Sequence, residues 1–153
     1  MNKRKVVKSV DAKGNKKKVV TRRSGTVVTK TDRDNGTLGT RKAKRVTKAD
    51  GTSKTKSTIK KGSSTLKSKT SYNADGSVVK RRSVSKTDAF GAKTKNKSTT
   101  KANGSSKTKY VTNAKTPGKT YVQKTKTSAS GKVKEKQKET RLGKQKAKNK
   151  YTR

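Results

Sequence analysis

The side chains able to do chemistry in this sequence are overwhelmingly cations. Lys and Arg number 47 against 8 Asp and Glu, a formal net charge of +39 over 153 residues. Of the cations, 37 are Lys and 10 are Arg. Lys is a flexible, strongly hydrated point charge, whereas Arg is the planar fork suited to bidentate recognition. A Lys-dominated inventory therefore favours sequence-independent contact with phosphates or carboxylates over base-specific readout. Such a charge repels itself and is best neutralised by a polyanion, whose binding releases condensed counter-ions.

Other chemistries are thinly represented. The chain has no Cys and no His. That excludes thiolate and disulfide chemistry, zinc sites built on those ligands and His acid–base work, and it leaves the many Ser and Thr hydroxyls without their ordinary base. Asp32 and Asp34 flank Arg33 in a turn-like Asp-Arg-Asp-Asn-Gly segment. Oxygens alternate there as in a calcium loop, but the distal bidentate Glu is lacking. Gly36-Thr37-Leu38-Gly39 lacks the lysine-ended spacing of a phosphate-binding loop. The expectation is no catalytic residue, no cofactor and no metal, so the chain reads as a non-enzyme.

The candidate polyanion-binding residues are instead the dense and alternating cations. Arg41, Lys42, Lys44 and Arg45 form one cluster and Lys80, Arg81 and Arg82 another. Lys54 and Lys56, Lys67 and Lys69, Lys93, Lys95 and Lys97, Lys107 and Lys109, and Lys124 and Lys126 each alternate with Thr, Ser, Asn or Tyr. Four Tyr, one Phe and no Trp offer few platforms for base stacking, so backbone contact fits better.

Period-two alternation points to strands, because successive strand side chains face opposite ways. Thr is abundant (24 residues) and Val leads the apolar residues; both favour strands. Glycines supply the punctuation. One series is Gly25, Gly51, Gly76, Gly104 and Gly131; a second, between them, is Gly14, Gly39, Gly62, Gly91, Gly118 and Gly143. From Gly51 onward the first carries Ala-Asp-Gly, Ala-Asn-Gly or Ala-Ser-Gly, which predicts hairpins closed by type I′ turns with Asp-Gly as the central pair. All six Asp residues sit at or beside these expected turns. The implied repeat is two strands and two turns in about 26 residues. Strands are expected over 3–10, 16–22, 26–31, 40–48, 52–60, 63–72, 77–87, 92–101, 105–113, 119–127 and 132–139.

The fold class is therefore all-β, a repetitive β-hairpin meander over 1–139 with a basic C-terminal tail over 140–153. It must be thin and core-poor, since Leu, Ile, Val and Phe together number only 19. Composition of this kind otherwise leads to a largely extended or disordered polycation, so order is expected to come from a partner or an oligomer. No apolar run is long enough for a signal peptide or membrane span. The functional expectation is a structural component of a large assembly, a virion or capsid foremost, engaging nucleic acid or an acidic protein surface. Alternatives are a stand-alone histone-like condensing protein of cytoplasm or nucleoid, and a binder of anionic polysaccharide or lipid.

Overall fold

Alternation and turn punctuation produce the expected class. In a computed structural model of the chain, all residues are described except 1, 2, 35, 90, 91, 115–117, 142, 143 and 153. The described residues form twelve strands: β1 Lys5–Val10, β2 Lys16–Thr21, β3 Val27–Asp34, β4 Thr40–Thr47, β5 Ser53–Lys61, β6 Ser64–Tyr72, β7 Val78–Ala89, β8 Ala92–Lys101, β9 Ser106–Ala114, β10 Lys119–Thr127, β11 Val133–Arg141 and β12 Lys144–Thr152. Strand order follows chain order from β1 to β12 in one antiparallel meander. A short 3-10 turn, Gly36–Leu38, joins β3 to β4. The stretch expected as a basic tail contains β12, which pairs with β11. Its Lys-x-Lys alternation is itself a strand pattern once β11 offers an edge.

The two glycine series close the two kinds of connection. Gly25, Gly51, Gly76, Gly104 and Gly131 close β2–β3, β4–β5, β6–β7, β8–β9 and β10–β11, while Gly14, Gly39, Gly62 and Gly118 lie in connections of the other sense. Gly91 and Gly143 lie outside the described residues.

The turns differ in detail from the expected type I′. Six loops share one scheme: the carbonyl of Asp11, Arg22, Lys48, Asn73, Lys101 or Ser128 accepts from the N–H of the glycine three residues on, and the same residue's N–H donates to the carbonyl four residues on. This is a three-residue loop, a type I turn followed by a left-handed residue, so Asp-Gly occupies its last two positions rather than the centre of a two-residue turn. Only the glycine needs positive φ (79° at Gly51), which lets Ala, Arg, Lys and Ser share the other positions. The acids that do sit in these loops cap them. Asp50 accepts from the Thr52 N–H and hydroxyl, and Asp75 accepts from the Ser77 N–H. Those hydrogen bonds hold both carboxyls below their ordinary value. Because the folded-state value is depressed, their contribution is present at neutral pH and lost on acidification through the carboxylate range.

The expectation that every Asp is turn chemistry holds for Asp11, Asp34, Asp50 and Asp75, and fails for two. Asp32 lies in β3 and Asp88 in β7, where they form exposed ion pairs with Lys42 (3.2 Å) and Lys93 (3.5 Å). Inside a strand surrounded by lysines, a carboxylate relieves local repulsion.

Two compact units divide the chain, one of residues Met1–Gly62 and Lys67–Arg81, the other of Ser63–Leu66 and Arg82–Arg153. Neither has a core in the usual sense. Among the described residues only Val28, Ser53 and Thr70 are buried, all in the first unit. The accessible surface is 11419 Å², against roughly 7,600 Å² expected for a folded monomer of this mass. Each unit is a sheet one layer thick. In the first unit the loops stack: Ala49 lies where a Cβ on Gly25 would meet it at 3.2 Å, and Ala74 does the same to Gly51 at 3.0 Å. The small side chains of Ala49 and Ala74 fit this close approach.

Replacing Gly51 by Ala should therefore destabilise the free protein by more than the about 1–2 kcal/mol of left-handed strain alone. Gly76→Ala, where a Cβ meets nothing within 4 Å, should show the strain alone. Chemical denaturation of the two variants checks the difference.

Candidate polyanion-binding surface

Side chains opposite one another on antiparallel strands share a face, so register decides which cations meet. In the first unit Lys8 pairs with Lys18, Lys18 with Lys30, Lys30 with Lys44, and Lys44 with Lys56. Five lysines from five consecutive strands thus stand in one row. In the second unit the same occurs with Lys97, Lys109, Lys124, Lys136 and Lys150. With strands about 4.8 Å apart, each row is about 19 Å long and runs across the strands.

Neighbouring rows fill out each face. Flanking the first lysine row, Val6, Val20, Val28 and Val46 align on one side, and Val10, Lys16, Asp32 and Lys42 on the other. Flanking the second, Thr99, Lys107, Lys126 and Lys134 align on one side, and Lys95, Val111, Val122 and Lys138 on the other. Lysine stems can lie along these valines while the ammonium groups stay in water. The lysine faces are also dented. A depression of about 580 Å³ crosses β1–β5 among Lys8, Lys16, Lys18, Lys30, Lys42, Lys44 and Lys56. Another, of about 560 Å³, is lined by Lys93, Lys95, Lys97 and Lys109, together with Lys86 and Asp88.

The opposite faces differ. In the first unit Arg33, Arg41 and Arg45 lie there among Thr and Ser. The Arg45 guanidinium sits 5.9 Å from the centre of the Tyr72 ring, a cation–π geometry. In the second unit the opposite face carries a row of Asn96, Tyr110, Gln123, Gln137 and Asn149, flanked by Ser98, Thr108, Thr125 and Glu135 and by Thr94, Thr112, Tyr121 and Glu139.

Against this geometry the sequence-derived candidates divide. Lys42, Lys44, Lys54 and Lys56 share the first lysine face; Lys93, Lys95, Lys97, Lys107, Lys109, Lys124 and Lys126 share the second. Arg41 and Arg45 face the other way. Lys67 and Lys69 flank Ser68, whose hydroxyl bonds that of Ser57 (2.8 Å) on the face opposite Lys56, so strand alternation directs both lysines to the lysine side. Lys80, Arg81 and Arg82 are consecutive exposed residues of β7 and cannot all share one face. Sequence reasoning missed Lys8, Lys18 and Lys30 in the first row and Lys136 and Lys150 in the second. The spacing carries the signal once the loop is known to have three residues: Lys18 and Lys30, Lys44 and Lys56, Lys97 and Lys109, and Lys124 and Lys136 each lie six residues either side of its middle residue.

No family model, no curated protein and no solved structure matches this chain. Its surface has to be interpreted from its own chemistry.

Like charges directly opposite on adjacent strands destabilise a sheet. Replacing an interior member of a row by Thr, Lys109→Thr or Lys30→Thr, should therefore stabilise the free protein, by roughly 0.2–1 kcal/mol at low salt and by less at high salt. Thermal melts at two salt concentrations check this; destabilisation at low salt would show that the rows are not under strain.

Proposed function

We propose that the chain is a non-enzymatic structural protein that lays its lysine faces on nucleic acid, through backbone phosphates and without regard to sequence, as a component of a large assembly such as a virus particle. The observation that carries this reading is the pair of five-lysine rows. A single-layer sheet at +39 gains nothing for its own stability by aligning ammonium groups about 4.8 Å apart. The arrangement becomes favourable when a dense line of anions runs along the row. Duplex DNA offers one phosphate per about 1.7 Å of axis, enough to engage every lysine of a row from a short length of duplex.

Three further features support phosphate contact over base recognition. The rows contain Lys and no Arg, and Lys acts as a point charge on phosphate. The tyrosines Tyr110 and Tyr121 face away from the second row and pack edge to face with each other, ring centres 6.5 Å apart. The depression on the first lysine face follows its row across β1–β5, a path suited to an extended polymer. Among the described residues no helix is long and apolar enough to cross a membrane.

The test is the salt dependence of duplex DNA binding. Changing Lys97, Lys109, Lys124 and Lys136 to Thr should lower the log–log slope by about 3.6 if each contacts one phosphate. Changing Lys17, Arg41, Arg45 and Lys61, on the opposite face of the first unit, should alter it far less. Equal losses from both sets would remove the lysine rows from the account, and stronger binding to heparin or anionic vesicles than to DNA would move the partner to a polysaccharide or a lipid surface.

A further inference from the structure

Strand β1 is one edge of the sheet: among the described residues it pairs with β2 alone. The loop that ends it decides which of its backbone groups point outward. The Asp11 N–H donates to the Asn15 carbonyl, and in an antiparallel pair hydrogen-bonded and non-hydrogen-bonded positions alternate. Ser9, Val7 and Lys5 therefore bond to β2, whereas Val6, Lys8 and Val10 turn N–H and C=O away from it. The edge is apolar as well. Val6, Val7 and Val10 are exposed, while Val20, opposite Val6, is half-buried and Val28, one strand further in, is buried. Burial along the valine row thus falls away toward β1.

We propose that β1 is a docking site for an acidic, extended segment of a partner protein, which adds to the sheet as a further antiparallel strand. Backbone pairing supplies the affinity in this mode, and alternate side chains supply the choice of partner. Charge commits the edge to an acidic occupant. Residues 3–22 carry nine cations and one acid. That acid, Asp11, is held in its loop by the Lys13 and Asn15 N–H groups and the Asn15 amide. Lysine on an edge strand turns away strands of like charge, and the lysine-rich strands of this chain are of that kind. An acid directly opposite a lysine stabilises the pairing instead.

Register specifies the segment. Lys8 begins the first lysine row, and Val6 and Val10 flank it on the same face. A strand hydrogen-bonded to these three sets alternate residues directly opposite their side chains. Apolar residues suit the positions opposite Val6 and Val10. Asp or Glu suits the position opposite Lys8, where it continues the lysine row with a counter-charge. On the reverse face Val7 favours an apolar residue and Lys5 a second acid. Read antiparallel to β1, from Val10 to Lys5, the recognised pattern is apolar, any, acidic, apolar, apolar, acidic. Such a strand would also cover the open end of the valine row. The occupant is a polypeptide and carries no phosphate, so this docking stands or falls separately from the nucleic-acid reading.

The experiment uses the full chain and an end-blocked peptide, Val-Thr-Glu-Val-Val-Glu, in about 0.3 M salt to weaken contacts that are electrostatic alone. Binding should protect the amides of Val6, Lys8 and Val10 from hydrogen exchange. Val6→Pro removes one outward N–H and leaves the ladder to β2 intact; it should weaken binding roughly two- to tenfold, the worth of one hydrogen bond. Lys8→Glu should reverse the preference between this peptide and its counterpart with Lys at the first Glu. Equal binding by a version N-methylated on the pairing amides would overturn the proposal, since it would reduce the contact to adsorption by charge. So would protection that spares Val6, Lys8 and Val10, or a dimer of the chain alone that protects them without peptide.

Discussion

Like-charge repulsion within a sheet that has no core is the constraint from which the rest follows. A globular protein spreads its charges and hides its apolar side chains behind them. Here only Val28 among the described apolar residues is buried, while lysines from successive strands stand in register. Backbone ladders, loop hydrogen bonds and cross-strand contacts of Thr and Val must hold the sheet against that repulsion. The recurrent loop, with its left-handed glycine and its Asp, Asn or Ser cap, then serves two ends. It closes six of the connections at low entropic cost, and at β1–β2, β2–β3, β4–β5, β8–β9 and β10–β11 it sets the register that puts lysine opposite lysine.

Asymmetry between faces is the other consequence. Period-two alternation converts one sequence of Lys-x-Lys segments into a cationic side and a hydroxyl- and amide-bearing side. In the second unit the division is nearly complete. In the first it is softer, since arginines occupy the reverse face and Asp32 sits among the lysines. The edge strand β1 adds a further exposed feature, with Val6, Val7 and Val10 at 42%, 49% and 64% exposure. Its nearby Lys3, Arg4, Lys5 and Lys8 are the kind of charge that discourages addition of a like-charged strand at an edge.

Much of the fold was legible. The eleven strands expected from period-two alternation and glycine punctuation correspond to β1–β11, and the two glycine series correspond to the two senses of connection. What was not legible is pairwise. A loop of two residues and a loop of three both suit Asp-Gly, yet they shift strand pairing, and a one-residue slip moves every side chain to the other face. The lysine rows therefore could not be read until the loop was known, and the densest clusters drew attention instead. Arg41-Lys42-Ala43-Lys44-Arg45 looks like one patch along the chain and is two half-patches in space. Asp32 and Asp88 read as turn residues in a sequence whose acids otherwise cluster at turns; in the fold they pair with lysines of neighbouring strands. β12 is the strand that sequence alone does not mark: its Lys alternation, with no Val and a Thr only at its end, resembles a solvated tail.

The central claim is that register gathers the lysines of successive strands onto one face, and that this face meets the polyanion. Lysine acetylation followed by mass spectrometry, on the full chain with and without duplex DNA, tests it residue by residue. The account predicts strong protection at Lys8, Lys18, Lys30, Lys44 and Lys56 and at Lys97, Lys109, Lys124 and Lys136, with little at Lys5, Lys17 and Lys61 on the reverse face of the first unit. Uniform protection of all lysines, or protection of the reverse face, would contradict it.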